Sequence, residues 1–144
     1  MKQPSLLRKR KSRGSAVVES ALSFIVFAAM LLGTFDFGQF LFIHQALTER
    51  ARYSARWGAV NNPSDTASVV NMVLYFQSTA PGNPNPYFGL SSDNVTATYL
   101  DGGTYNARVV VKVSGYQYYI LSPYIGGTYT GPNIQVSVPV GQYN

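Results

Sequence analysis

A single carboxylate stands inside the most apolar segment of this 144-residue chain. Glu19 follows Gly14 by five residues, and Gly14 itself ends a tail that holds six Lys and Arg residues. A carboxylate within an apolar helix is unfavourable by about 1–3 kcal/mol unless it is paired or lies near a membrane interface. The spacing leaves two interpretations open. Glu19 has a cationic partner, or it is an interfacial residue of an uncleaved signal anchor.

The other candidates for chemistry are few. His44 is the only histidine and has no acidic cluster at ligand spacing nearby, so a metal site is not expected. The absence of cysteine excludes disulfides and thiol catalysis. Asp93 and Asp101 are typical turn residues and not a catalytic pair of carboxylates. We therefore expect a protein that is not an enzyme and that uses no cofactor and no metal.

The net charge of +5 is confined to the N-terminal tail. Six of the eleven Lys and Arg residues precede residue 14, and from Ser15 onward five bases stand against six acids, a balance of −1. A nucleic-acid-binding surface needs clustered positive charge on the folded part of the chain. We therefore expect no nucleic-acid partner.

The segment Ala16–Phe35 has the length of a membrane span. Its twenty residues contain one charge, Glu19, and as a helix they match the ~30 Å hydrocarbon core of a bilayer. A helix satisfies its own backbone there. Because the basic cluster precedes the span, we expect a cytoplasmic N-terminus and an exported remainder.

The helix is predicted to continue beyond the membrane. No proline occurs between Ser5 and Asn62, and apolar residues keep a helical spacing up to Ala55. Gly58 is interpreted as the C-cap, with Asn61-Asn62-Pro63 as the stop. The predicted helix, from about Ser15 to Trp57, would be on the order of 65 Å long.

The remainder changes from helical to strand periodicity. Ser64-Asp65 is predicted to cap a second, short helix that carries apolar residues from Val69 to Phe76. After a Pro- and Gly-rich loop, alternating residues predict strands around positions 95–100, 108–113 and 134–140. Asp101-Gly102-Gly103 is predicted to turn between the first two strands, and Pro139 to mark an edge strand.

The expected fold is therefore α+β: a long N-terminal, partly transmembrane helix, a short helix and a small antiparallel β-sheet. The chain divides into a basic leader (1–14), a long helix (15–59) and an exported domain (60–144). Within the long helix, residues 16–35 are the span and 36–59 its exported extension.

Three segments of the first 60 residues resemble a known family. They are Arg13-Gly-Ser-Ala-Val-Val-Glu19, Phe35-Asp-Phe-Gly-Gln-Phe40, and the Ala- and Arg-rich stretch Gln45–Arg56. They are similar to the TadE-like family of minor pilins, or pseudopilins, of the tight-adherence (type IVc) pilus system. The sequence departs from related patterns at Ser20, where an aromatic residue is common after the glutamate, and at Ser15, where ordinary type IV pilins begin with an aromatic residue.

The resemblance implies processing and assembly. A prepilin peptidase would cut between Gly14 and Ser15 and leave the apolar helix in place, whereas Leu31–Phe35 has no A-x-A-like pattern of an ordinary signal-peptidase site. The new α-amine of Ser15 would have an intrinsic pKa of about 8. The amine of a neighbouring subunit would pair with Glu19 and set the axial register of packed helices.

The implied partners are other pilin-like subunits, the prepilin peptidase, the pilus assembly platform and the lipid bilayer. The implied location is the bacterial inner membrane, with the C-terminal domain periplasmic or extracellular. An exported domain of about 85 residues is bulky for a densely packed filament, which favours a minor subunit. A major filament subunit and an uncleaved, membrane-anchored scaffold or adhesive protein remain alternatives.

Three more residues are candidates for helix packing. Asp36 lies between Phe35 and Phe37, a pattern that favours the outer membrane interface, with contact to a neighbouring helix or the assembly platform as the alternative. Gly33 and Gly38 would permit close approach of another helix or local unwinding of this one.

Overall fold

The computed structural model describes residues 13–123 and 125–141, so most of the predicted leader lies outside the described residues. The α+β prediction is confirmed. The helices are α1 (Arg13–Asn61) and α2 (Thr66–Tyr75), and short 3₁₀ turns follow at Tyr87–Gly89 and Ser92–Asn94. The strands are β1 (Val95–Leu100), β2 (Arg108–Val113), β3 (Gln117–Ile120), β4 (Gly127–Thr130) and β5 (Ile134–Pro139).

Helix α1 has 49 residues and a length of about 74 Å. Its two halves have different surroundings. In the first half, apolar side chains such as Val17, Phe24 and Phe27 are between 63% and 69% exposed. In the second half, Leu47, Ala51 and Ala55 are fully buried at i, i+4 spacing. No other part of the described chain buries the apolar first half of α1, so this half is not the core helix of a folded domain.

The domain that follows α1 forms its core against the second half of that helix. Strand β2 is central in an antiparallel sheet of order β1-β2-β5, and its residues Val109, Val111 and Val113 are fully buried. Both helices pack on this sheet. The predicted strands and the edge position of Pro139 are therefore confirmed. Strands β3 and β4 form a separate two-stranded hairpin that the sequence analysis did not predict.

The predicted N-terminal cap of α2 is confirmed at Asp65. The Asp65 carboxylate accepts the backbone N–H of Ser68 at 3.1 Å and the hydroxyl of Ser68 at 2.7 Å. These hydrogen bonds hold the pKa of Asp65 below its ordinary value. Phe76, predicted to lie within the helix, instead ends it in the left-handed conformation at φ 60°.

The interpretation of Gly58 as the C-cap of α1 is wrong. The helix continues to Asn61, and Gly58 is buried where α1 crosses α2. A Cβ atom added at Gly58 would lie 2.5 Å from Cγ2 of Val69 and 3.7 Å from Cγ1 of Val109. The glycine is needed because no side chain fits between the two elements, not because the helix ends there.

We expect Gly58→Ala to destabilise the protein and Gly38→Ala to leave it unchanged or slightly stabilised. Alanine gains about 1 kcal/mol of helix propensity at either position. At Gly58 overpacking against the stiff Val69 costs about 1–3 kcal/mol, whereas a Cβ at Gly38 meets nothing within 4 Å. Thermal unfolding of the two variants in detergent measures the difference. An equal or higher midpoint for Gly58→Ala would contradict the packing argument.

Candidate functional site

The residues of the predicted processing site lie at the exposed start of α1. Gly14, Ser15 and Glu19 are all exposed, and a Cβ at Gly14 would meet nothing within 4 Å. The ion pairs among residues 13–123 and 125–141 are Glu49–Arg52 and Asp101–Arg108, so Glu19 has no cationic partner within that part of the chain.

Two hydroxyls inside the apolar half of α1 are satisfied by the helix itself. Ser20 donates to the carbonyl of Ala16 at 2.8 Å, and Thr34 donates to the carbonyl of Met30 at 2.9 Å. Bonds to the carbonyl four residues earlier are a common way to satisfy a hydroxyl in a helix. The serine at position 20 therefore adds no unsatisfied hydroxyl to the span.

Asp36 holds the β3–β4 hairpin against α1. Its side chain is buried, and its two oxygens accept the backbone N–H groups of Leu121 at 2.8 Å and Ser122 at 3.1 Å. Hydrogen bonds to a carboxylate are shorter and stronger than bonds between neutral groups. The carboxylate therefore faces the β-rich domain of its own chain.

Aromatic contacts extend this attachment along the same helical face. Phe40 packs on Tyr118 with ring centroids 4.9 Å apart. One turn further, Nδ1 of His44 lies 2.7 Å from the hydroxyl oxygen of Tyr116. Burial, and then the neighbouring Tyr118, raise the pKa of Tyr116, so its hydroxyl stays neutral near pH 7. These contacts show that the only histidine of the chain is a packing residue.

No local pattern in the sequence predicts the surroundings of Arg50. Its guanidinium carbon lies 4.5 Å from the ring centroid of Phe76 and 4.2 Å from that of Tyr87. Such cation–π contacts contribute about 0.5–2 kcal/mol each. The arginine therefore joins α1 to the end of α2 and to the 3₁₀ turn, which are distant in sequence.

The structure places Gly33 and Gly38 differently from each other. Gly33 lines a groove between α1 and the β3–β4 hairpin together with Asp36 and Ile125. Gly38 lies on an exposed part of the helix with open space around it. Their packing against a second helix stays a prediction.

We expect Asp36→Ala to release the β3–β4 hairpin from α1. Hydrogen bonds to charged groups contribute about 1.5–3 kcal/mol, so the amide exchange of Leu121 and Ser122 should accelerate by roughly 10- to 100-fold. Asp36→Asn retains one acceptor oxygen and should have an intermediate effect. Hydrogen-exchange mass spectrometry of the detergent-solubilised protein measures these rates.

The matched control is Asp101→Ala, which removes an exposed ion pair with Arg108 at the connection between β1 and β2. It should leave exchange at Leu121 unchanged. Equal protection in Asp36→Ala and the parent protein would show that the carboxylate does not hold the hairpin.

The comparisons with known proteins concern this same helix. Residues 14–56 match the family described as TadE-like protein. The match begins at the predicted processing glycine, includes Glu19 and Asp36, and ends before α2. Comparison with curated proteins and with solved structures gave no match. The resemblance to the TadE-like family, predicted from the sequence, is thus confirmed over residues 14–56.

Proposed function

We propose that this protein is a minor, pilin-like subunit required for assembly of a tight-adherence (type IVc) pilus. The observation that carries the proposal is the TadE-like match on a helix whose apolar half is not buried by the rest of the described chain. Such a helix needs a bilayer or other apolar helices around it. The role is structural and does not involve catalysis.

The proposed maturation is cleavage between Gly14 and Ser15 by a prepilin peptidase. The cut removes the basic leader and keeps the apolar half of α1 attached to the exported domain. It also creates an α-amine at Ser15, about one helical turn from Glu19. The exposed position of both residues supports this proposal, because a peptidase and a second subunit need access to them.

The face of α1 that carries Glu19 is open to a neighbouring helix. At 100° per residue, Glu19 lies about 120° around the helix from Ile25, which faces the β3–β4 hairpin. The Glu19 face instead presents a shallow groove of exposed residues, lined by Leu22, Ser23, Val26, Phe27 and Met30. The amine of another subunit can therefore approach Glu19 within lipid, where no water is present to solvate the carboxylate.

The proposed location is the bacterial inner membrane, with a cytoplasmic N-terminus and a periplasmic or extracellular domain. The proposed partners are other pilin-like subunits, the prepilin peptidase and the inner-membrane assembly platform. A minor role is supported by the domain of about 85 residues after α1, which is bulky for a densely packed filament.

We expect Glu19→Ala to abolish piliation without preventing insertion or cleavage. The alanine leaves the neighbouring amine without its counter-charge, while the exported core, which begins near Ile43, is far from residue 19. Glu19→Gln should be partly defective, because it keeps the hydrogen bonds but not the charge. Sheared pili report assembly, and intact mass of the membrane fraction reports cleavage.

Glu49→Ala is the control, because Glu49 is an exposed glutamate on the same helix that pairs with Arg52 outside the span. It should assemble normally. Normal piliation in Glu19→Ala would reduce Glu19 to an interfacial carboxylate and remove the support for pilin-like packing.

A further inference from the structure

The connection between β3 and β4 lies beside the apolar half of α1. We call the described residues 121–123 and 125–126 the hairpin tip. Ser122 and Pro123 line a groove with residues of α1 from Phe24 to Leu32. Because Phe24 precedes Asp36 by twelve residues, this groove extends up to about 18 Å from Asp36 toward the N-terminus of the helix.

The surface of the hairpin tip is apolar and uncharged. Leu121 is 49% exposed and Ile125 is 61% exposed. No charged residue occurs anywhere in the chain after Lys112. In water these exposed side chains are unfavourable, at about 25 cal/mol for each Å² of apolar surface. Transfer of the same surface from water to hydrocarbon is favourable.

Three backbone groups of the hairpin tip are paired with side chains of the described chain. Asp36 accepts the N–H groups of Leu121 and Ser122, and the hydroxyl of Tyr129 donates to the carbonyl of Ile125 at 2.7 Å. An irregular backbone is tolerated at membrane depth only where protein groups satisfy it. The tip therefore meets this condition at three of its backbone groups.

The length of the span determines the depth of the tip. The basic tail ends at Arg13, so the hydrocarbon core begins near Ala16 and needs about 20 residues. Ser122 is hydrogen-bonded to Asp36, which directly follows these twenty residues. Ser122 and Pro123 also line a groove with Leu32, which precedes Asp36 by four residues or about 6 Å. The tip therefore lies beside the outer end of the span.

We propose that the hairpin tip inserts into the outer leaflet of the bilayer as a second membrane contact beside α1. The inference rests on the membrane anchoring in the proposed function. We expect lipid around the tip because its apolar surface is continuous with the apolar surface of the span. Its depth is about 5–10 Å, as for other interfacial elements. Asp36 is the residue that positions the tip.

The absence of natural cysteine allows single-site labelling of the full-length protein. We would label Ile125→Cys with an environment-sensitive fluorophore in phosphatidylethanolamine–phosphatidylglycerol vesicles that contain nitroxide lipids. Phe27→Cys, in the middle of the span, is the control for lipid contact. Tyr105→Cys is the control for water, since Tyr105 is 92% exposed in the β1–β2 connection.

We expect a nitroxide near the headgroup to quench the probe at Ile125, one deep in the acyl chains to quench the probe at Phe27, and neither to quench the probe at Tyr105. If Ile125 behaves like Tyr105 while Phe27 is quenched, the protein is anchored and the insertion of the tip is wrong. Protection of Ile125 from both lipid quenchers and aqueous iodide would mean that another protein copy covers it, which also overturns the proposal. If the probe at Phe27 were not quenched either, the membrane anchoring on which this inference rests would be wrong.

Discussion

One unbroken helix has to satisfy two surroundings, and the rest of the structure depends on that constraint. The first half of α1 has exposed apolar side chains on all its faces, as a bilayer or a bundle of apolar helices requires. The second half has a single buried stripe that includes Leu47, Ala51 and Ala55. The sheet and α2 pack on that stripe. A break in α1 would therefore separate the anchor from the domain that it supports.

The change of surroundings occurs at Asp36. A free carboxylate near the end of the span would be unfavourable in lipid. The β-rich domain offsets that cost by donating two backbone N–H groups, from Leu121 and Ser122. The same bonds fix the β3–β4 hairpin to the helix, and Phe40 and His44 continue the contact. A polar group in an apolar helix thus orients the domain relative to the membrane.

Features set by neighbours in sequence were predictable, and features set by distant contacts were not. The span, the Asp65 cap and the strand around Val109–Val113 follow from local periodicity or hydrogen bonding. The partners of Asp36 lie 85 and 86 residues away, so no local pattern identifies them. Gly58 shows the same limit, because a helix-capping rule and close packing against Val69 both select glycine. Strands β3 and β4 have only four residues each, too few for a clear alternation.

The central claim is that the apolar half of α1 remains joined to the exported domain in the mature protein. Sequencing the N-terminus of protein purified from the producing cells tests it most directly, with intact mass as a check on the C-terminus. The account predicts the sequence Ser-Ala-Val-Val-Glu, beginning at Ser15. A start near residue 35 would contradict it, because a conventional signal peptide would then have been removed, and with it the anchor and Glu19.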